Sequence, residues 1–254
     1  MLVASLDTAT LTLSCALVEL FPGAPPRLVR ERREPAAPRP PAGETGGHGG
    51  RLPGALSALL EEERLRLDDV EGLAVGLGPG SFTGLRIGLA TWKGLAYAGR
   101  RPLAGASSLA AMALAASQGA RPGALLVPLL DARKGEVYAG FYRAAAGGVE
   151  AVEPEVALAP DVIVERLAGV DGALVFGEGR RAHAAALERL ARPAAPHDVL
   201  APGALEIAAL AAPRLVGAGW DARAVFALEP HYVRKSEAEV RFPDGIPTAS
   251  RRGG

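Results

Sequence analysis

Residues 2–20 read LVASLDTATLTLSCALVEL, an apolar run that ends at Asp7, then a polar turn, then a second run that alternates in polarity. Such a pattern favours two β-strands joined by a turn. The same order recurs further along the chain, where Leu125–Asp131 is followed by a returning run at Glu136–Tyr142. We therefore predict an α/β fold made of two similar halves.

A glycine-rich segment, GLGPGSFTGLRIG, occupies Gly76–Gly88. Ser81 is a residue type that caps helices, so we predict a helix over about 81–99. A glycine-rich turn before a helix can bind an anion through free backbone amides. This segment, however, lacks the Gly-Lys-Ser/Thr ending of a P-loop and the dinucleotide-binding fingerprint. We favour a packing role, in which Gly84 and Gly88 let another helix approach closely.

The remaining elements follow from periodicity and from the positions of glycine and proline. Leucines at helical spacing predict a helix over about 51–66, and the Pro/Gly-rich segment 35–50 predicts a loop. Further strands are predicted at 27–34, 72–76, 102–106, 150–158 and 173–177. Further helices are predicted from 107 or 108 and at 159–167, 180–191 and 204–218.

Composition excludes several classes of protein. The 254 residues are 49% hydrophobic and 22% charged, which is too apolar for a disordered chain and long enough for one large or two small domains. Basic and acidic residues balance at 28 each, so no global field attracts nucleic acid or an anionic membrane. The chain has no signal-like start and no membrane-length apolar run, and we expect a soluble cytoplasmic protein.

Metal and nucleophile chemistry also find little support. Cys15 is the only cysteine, which excludes an internal disulfide and a multi-cysteine zinc site. The four histidines are scattered along the chain rather than paired at helical spacing, so we expect no metal site. Ser81 has no nearby His/Asp set and its context is not a nucleophile elbow. A metalloprotease is therefore disfavoured.

The turns after Asp7 and Asp131 resemble the phosphate hairpins of the actin, sugar kinase and Hsp70 superfamily. The alternative is that both carboxylates only end strands and cap turns. Those hairpins usually carry glycine two residues after the Asp, where this chain has Ala9 and Arg133. Without glycine the backbone approaches phosphate less readily, so we do not expect the chain alone to bind nucleotide. The residues that form either a phosphate site or a structural turn are Asp7, Thr8, Thr10, Gly78, Gly80, Ser81, Thr83, Gly84 and Asp131.

Several segments together, in order and spacing up to Arg234, resemble the bacterial TsaB family, also called YeaZ. They are SLDTAT (5–10), His48, GLGPGSFTGLRIG (76–88), Lys93-Gly94, SSL (107–109), LDARKGEVY (130–138) and EPHYVR (229–234). The resemblance implies a two-lobed, actin-like ATPase fold of the RNase H-like type. We expect an N-terminal lobe at 1–103, a C-terminal lobe at 104–228, a closing segment at 229–240 and a disordered tail at 241–254.

The resemblance also implies a function. The family serves the formation of N6-threonylcarbamoyladenosine (t6A) in tRNA as a non-catalytic subunit that binds the transferase TsaD, with the ATPase TsaE joining the assembly. Many members form a homodimer through much the same surface, on helices of the N-terminal lobe. The chain would meet tRNA only through the complex, and ATP or ADP would bind, if anywhere, at the interface with TsaD.

The apolar faces of the helices predicted over about 51–66 and 81–99 have two interpretations. They cover this chain's own sheet, as is usual in soluble proteins, or part of each pairs with a partner, as the resemblance implies. Arginine is enriched at interfaces. The predicted partner-binding residues are His48, Arg51, Leu52, Leu56, Leu59, Leu60, Phe82, Arg86 and Leu89.

An alternative function is open at this point. An ATP-dependent phosphotransferase or hydrolase of the same superfamily would use Asp7 and Asp131 around a magnesium nucleotide, and it would turn over ATP without a partner. The glycines missing from both hairpins argue against it.

Overall fold

A computed structural model describes residues 1–35, 48–190 and 199–234, without the side chain of His48. Its strands are β1 (Leu2–Asp7), β2 (Leu13–Phe21), β3 (Ala24–Glu34), β4 (Gly72–Gly76), β5 (Leu103–Ala106), β6 (Leu125–Arg133), β7 (Glu136–Ala145), β8 (Gly148–Leu158) and β9 (Leu174–Phe176). Its helices are α1 (His48–Glu62), α2 (Phe82–Gly99), α3 (Ser108–Ser117), α4 (Pro160–Arg166), α5 (Glu178–Ala182), α6 (Ala184–Leu187), α7 (Ala204–Leu215) and α8 (Ala222–Ala227).

The strands form two mixed sheets with matching topology. The first sheet has the order β3-β2-β1-β4-β5 and the second has the order β8-β7-β6-β9. In each sheet a three-stranded antiparallel meander is extended by a strand parallel to its first member, β4 beside β1 and β9 beside β6. The predicted duplication and the two-lobed actin-like fold are confirmed.

Some elements differ from the sequence prediction. The helix predicted over 180–191 is two short helices, because His183 leaves helical geometry at φ −117° and ψ 33°. The helix predicted to 218 ends at Leu215, just before Gly217 with a positive φ of 78°. Helix α8 was not predicted. The predicted tail at 241–254 and all but a few residues of the predicted loop 35–50 lie outside the described residues.

The first lobe holds more of the chain than the predicted division at residue 103. Strand β5 pairs with β4 in the first sheet. Helix α7 packs on β1, β2, β4 and β5, and α8 packs on α2. The chain therefore returns to the first lobe after it has built the second, because the second face of the first sheet needs a helix to cover it.

The leucines of α1 face this chain's own core, which corrects the partner-binding assignment. Leu52, Leu56, Leu59 and Leu60 are all at most 8% exposed and join the cluster that contains Trp92. Leu89 on α2 is 5% exposed and belongs to the same cluster. Helix α1 packs across β2 and β3, and the apolar face of β2 requires that cover. These side chains cannot form an accessible partner surface.

In the part of the chain that the structure describes, no helix is long and apolar enough to cross a membrane.

Truncation of a core leucine tests this placement. We expect Leu59→Ala to lower the free energy of unfolding by about 2–5 kcal/mol, because it leaves a cavity in the first lobe. The matched control is Ser57→Ala, which truncates an exposed residue of the same helix and should change stability by less than about 0.5 kcal/mol. Urea denaturation followed by circular dichroism measures both. Equal stability of the two variants would contradict the placement of Leu59 in the core.

Candidate functional site in the cleft between the lobes

A cavity of about 540 Å³ lies between the two lobes. Its walls come from the turn after β1, the start of α2, the end of β6, Tyr138 of β7, the start of α5 and the segment 231–234. Among the residues singled out from the sequence, those in its lining are Thr10, Gly80, Ser81, Phe82, Thr83, Arg86 and Asp131. Asp7, Thr8, Gly78 and Gly84 are not in the lining.

Asp7 is fully buried beneath the cleft rather than exposed to it. Its Oδ1 accepts a hydrogen bond from the Ala9 amide at 2.8 Å, and its Oδ2 accepts one from the Ser108 hydroxyl at 2.6 Å. A Cβ atom at Gly76 would lie 1.9 Å from Oδ2, so the carboxylate fits only beside a glycine. Burial raises the pKa of Asp7 to about 6, against the lowering effect of the two hydrogen bonds. Both carboxylate oxygens of Asp7 are therefore engaged by hydrogen bonds within the fold.

The glycine-rich segment packs against the turn after β1, not against another helix as predicted. The Thr8 hydroxyl donates to the Gly84 carbonyl at 2.9 Å, and a Cβ atom at Gly88 would lie 2.4 Å from Thr8 Oγ1. A Cβ atom at Gly80 would lie 2.3 Å from the carbonyl oxygen of Ala9. The predicted cap is confirmed, since the Ser81 hydroxyl accepts from the Gly84 amide at 3.2 Å.

In the two hairpin turns, three backbone amides donate to side chains of the same turns. A phosphate cradle needs free backbone amides, but the Thr12 amide donates to Thr10 Oγ1 at 3.1 Å and the Arg133 amide donates to Asp131 Oδ1 at 2.9 Å. The Ala9 amide is taken by Asp7, as described above. Arg133 also has a positive φ of 63°, a conformation that glycine adopts more easily. The amides of Ala9, Thr12 and Arg133 are therefore not free to bind a phosphate.

Asp131 lines the cleft, but its carboxylate is engaged by neighbours of the second lobe. Its Oδ2 lies 3.2 Å from Arg133 Nη1, and its Oδ1 lies 3.4 Å from His183 Nε2. Burial, followed by the charge of Asp131, raises the pKa of the nearby Glu178 carboxyl. Within 1–35, 48–190 and 199–234, no group of three or more His, Cys, Asp or Glu residues is arranged to hold a metal ion.

Residues of the segment 229–234, which belongs to the predicted closing segment 229–240, form part of the cleft wall, and none of them was predicted as a site residue. His231, Tyr232 and Arg234 line the cavity. A hydrogen bond from His231 to the Glu155 carboxylate raises the pKa of the imidazole, while burial acts in the opposite direction. The motif EPHYVR (229–234) is the sequence feature that could have pointed to these residues, because it contributes to the family resemblance.

The exposed side of α2 begins at the rim of the cleft. Phe82, Arg86, Ala90, Gly94 and Tyr97 are all exposed, and their spacing of three or four residues places them along one side of the helix. The Arg86 guanidinium lies 3.8 Å from the centre of the Phe82 ring. This set of five residues is called the α2 face below.

At its far end the α2 face continues into an aromatic cluster. The Tyr97 ring lies 5.9 Å from that of Trp220 and 5.5 Å from that of Phe226. Tyr97 and Phe226 are each more than half exposed. Exposed aromatic groups next to small residues are typical of protein interfaces. Of the predicted interface residues, Phe82 and Arg86 have accessible side chains. The Arg51 side chain instead donates to the backbone carbonyls of Leu11 and Pro35. The side chain of His48 lies outside the described residues.

Comparison with known proteins identifies the family. TsaB of Bacillus subtilis strain 168 is 32% identical over 202 residues, covering 77% of this chain and 83% of the relative. The chain therefore belongs to the TsaB (YeaZ) family. TsaB of Escherichia coli K12 is 37% identical over 127 residues, covering 49% of this chain and 54% of the relative. The family model described as "TsaD: tRNA N6-adenosine threonylcarbamoyltransferase" also matches residues 41–242.

Solved structures of the TsaB family share the fold over almost their full length. The structure titled "YeaZ from Pseudomonas aeruginosa" superposes with a TM-score of 0.66 at 30% identity, covering 89% of this chain and 98% of that one. A second Pseudomonas aeruginosa protein, described as similar to peptidase YeaZ, gives a TM-score of 0.69 at 28% identity, covering 92% and 99%.

The raised pKa of Asp7 predicts a specific pH dependence of stability. The carboxyl titrates near 3.8 in the unfolded chain and near 6 in the folded one, so folding favours its protonated form. The resulting stabilisation is complete below pH 4 and is lost as the pH rises to about 6. Asp7→Asn lacks this titration. We therefore compare the unfolding free energy of Asp7→Asn with that of the unsubstituted chain at each pH. The difference, variant minus unsubstituted chain, should become more positive by about 3 kcal/mol between pH 4 and pH 7.

Urea denaturation at several pH values measures this difference, and Asp161→Asn, which neutralises an exposed carboxylate, is the control. Parallel stability curves for Asp7→Asn and the unsubstituted chain would contradict the burial of a titrating Asp7.

Proposed function

We propose that this chain is a non-catalytic subunit of t6A biosynthesis that binds the transferase TsaD through its α2 face. Its relatives in Bacillus subtilis and Escherichia coli are named tRNA threonylcarbamoyladenosine biosynthesis protein TsaB, which supports the process. The burial of Asp7 carries the non-catalytic part of the proposal. A carboxylate bonded to Ala9 and Ser108 below the cleft floor cannot position a metal ion or a water molecule at a phosphate.

The competing function, an ATP-dependent phosphotransferase or hydrolase, has less support. It needs two carboxylates facing the cleft and amides free to cradle phosphate. Only Asp131 of the predicted pair lines the cleft, and the turn amides described above donate within their own turns. ATP or ADP at an interface with TsaD stays a prediction of the family resemblance, as does the participation of TsaE and of tRNA through the complex.

The α2 face is the surface that fits a helical partner. Ala90 and Gly94 lie in its middle, and the space around Gly94 is open, so a partner helix can approach the backbone closely. Arg86 and Tyr97, at either side, are residue types that dominate binding energies at interfaces. Apolar area buried there contributes about 25 cal/mol per Å² before ordering costs. This surface replaces the buried leucines of α1 in the predicted interface.

A homodimer through the α2 face would exclude TsaD from it. Because both associations would bury the same five residues, we propose that the two complexes compete and that dimer dissociation precedes binding to the transferase. Such competition makes the apparent affinity for TsaD depend on the concentration of this chain.

A charge placed on the α2 face tests the proposed interface. We expect Ala90→Asp to weaken binding to TsaD from the same source by about 100-fold or more, because an unpaired buried charge costs about 3 kcal/mol or more. Ala168→Asp, an identical substitution at an exposed position of the second lobe, is the matched control and should bind normally. Isothermal titration calorimetry measures both. Normal binding by a folded Ala90→Asp variant would contradict the proposed surface.

Nucleotide turnover by the isolated chain separates the two functions. We expect neither ATP hydrolysis nor saturable ATP binding by the purified chain, because the amides of Ala9, Thr12 and Arg133 already donate within their hairpins. A coupled ATPase assay and equilibrium dialysis provide the measurements. Turnover that is abolished in Asp131→Asn would favour the enzyme and contradict the subunit.

A further inference from the structure

Residues 229–234 cross from one lobe to the other at the cleft. On the side of the first lobe, the His231 amide donates to the Leu77 carbonyl at 2.7 Å. The ring of Tyr232 packs on that of Phe82 with centroids 5.0 Å apart, and Arg86 Nε donates to the Tyr232 hydroxyl at 3.0 Å. This end of the segment therefore covers the first turns of α2.

The same segment also contacts the second lobe. His231 Nε2 lies 3.2 Å from Glu155 Oε2 on β8, and Arg234 Nη1 donates to Glu136 Oε2 at the start of β7 at 2.8 Å. Glu155 is itself fixed, because its other oxygen accepts from the hydroxyls of Ser107 and Tyr142. Adjacent residues of one short segment thus bind both lobes.

The segment 229–234 joins the lobes at the cleft, apart from other contacts between the lobes. The lobes also meet where α3 packs on α7, and Leu85 of α2 belongs to the same buried cluster as Leu109 and Met112 of α3. Neither α3 nor α7 lines the cleft. The contact between α3 and α7 resembles a hinge, and the short segment at the cleft resembles a strap. The Arg234–Glu136 pair is partly exposed, and such a pair and a single aromatic contact are individually weak, so a competing partner can release this segment.

We propose that residues 229–234 are a releasable strap that holds the two lobes at a fixed separation, and that Tyr232 must leave Phe82 before a partner packs on that end of the α2 face. The first half of this proposal is independent of the proposed function. The second half rests on it, since it requires a partner at the α2 face.

Interlobe distances test the first half. Nitroxide labels at Glu61→Cys and Glu150→Cys, both exposed, report on the two lobes. Burial is the main factor that raises the pKa of Cys15 to about 12, so the native thiol stays unlabelled. In the doubly labelled full chain, double electron–electron resonance should give one narrow distance distribution. With Tyr232→Ala and Arg234→Ala added, the mean should shift by about 3 Å or more, or a second population should appear.

A matched control removes a similar ion pair that does not bridge the lobes. Arg166 Nη1 lies 3.0 Å from Glu153 Oε1 within the second lobe, so Arg166→Ala should leave the distribution unchanged. If the double variant fails to fold, Arg234→Ala alone, which loses one partly exposed pair, should still broaden the distribution. A folded strap variant whose distribution superimposes on that of the unsubstituted chain would overturn the strap.

Association kinetics test the second half. With TsaD from the same source, Tyr232→Ala should associate about fivefold faster than the unsubstituted chain, because the Phe82 ring no longer has to be uncovered. An unchanged association rate with normal affinity would overturn the masking role of Tyr232. If no form of the chain bound TsaD, the proposed function would fail, while the distance measurement would still decide the strap.

Discussion

A single buried carboxylate organises the junction of the two lobes. Asp7, at the end of β1, accepts hydrogen bonds from the turn that follows it and from Ser108 at the start of α3. The Ser108 hydroxyl in turn accepts from the Gly78 amide at 3.2 Å in the glycine-rich turn. Strand β1, the entry to α2 and the entry to α3 are therefore tied to one point. Gly76 and Gly80 are required by the atoms packed against them, and Gly78 by its positive φ of 98°.

That network determines what the cleft can do. The actin-like architecture is fully present, with two matching sheets and a cavity between them. Of the two carboxylates, Asp131 lines the cleft, whereas Asp7 is buried below it and accepts from the Ala9 amide. The chain has the fold of an ATPase superfamily, and in the described residues the amides of Ala9, Thr12 and Arg133 donate within their own turns. The α2 face is the part of its surface where small, aromatic and basic side chains occur together.

The sequence predicted the elements well because their signals are local. Alternation of polarity marks a strand wherever it lies, and Ser81 caps a helix through a hydrogen bond within its own first turn. Periodicity identified an apolar side of α1 at Leu56 and Leu59, but it cannot say whether a sheet of the same chain or a partner covers that side. The orientation of Asp7 depends on Ser108, a residue far along the chain, and no local pattern reports it. The contacts of His231 and Tyr232 were missed for the same reason, since a short segment without periodicity carries no signal of the two lobes that it joins.

The central claim is that this chain supports a reaction without supplying its reacting groups. The most direct test is threonylcarbamoyl transfer to tRNA by TsaD, TsaE and this chain, reconstituted with Asp7→Asn/Asp131→Asn at a saturating concentration of the subunit. Our account predicts a turnover number within about twofold of that with the unsubstituted chain, because neither carboxylate takes part in the chemistry. A fall of about 100-fold at saturation, with the variant folded and bound, would show that the cleft of this chain is catalytic.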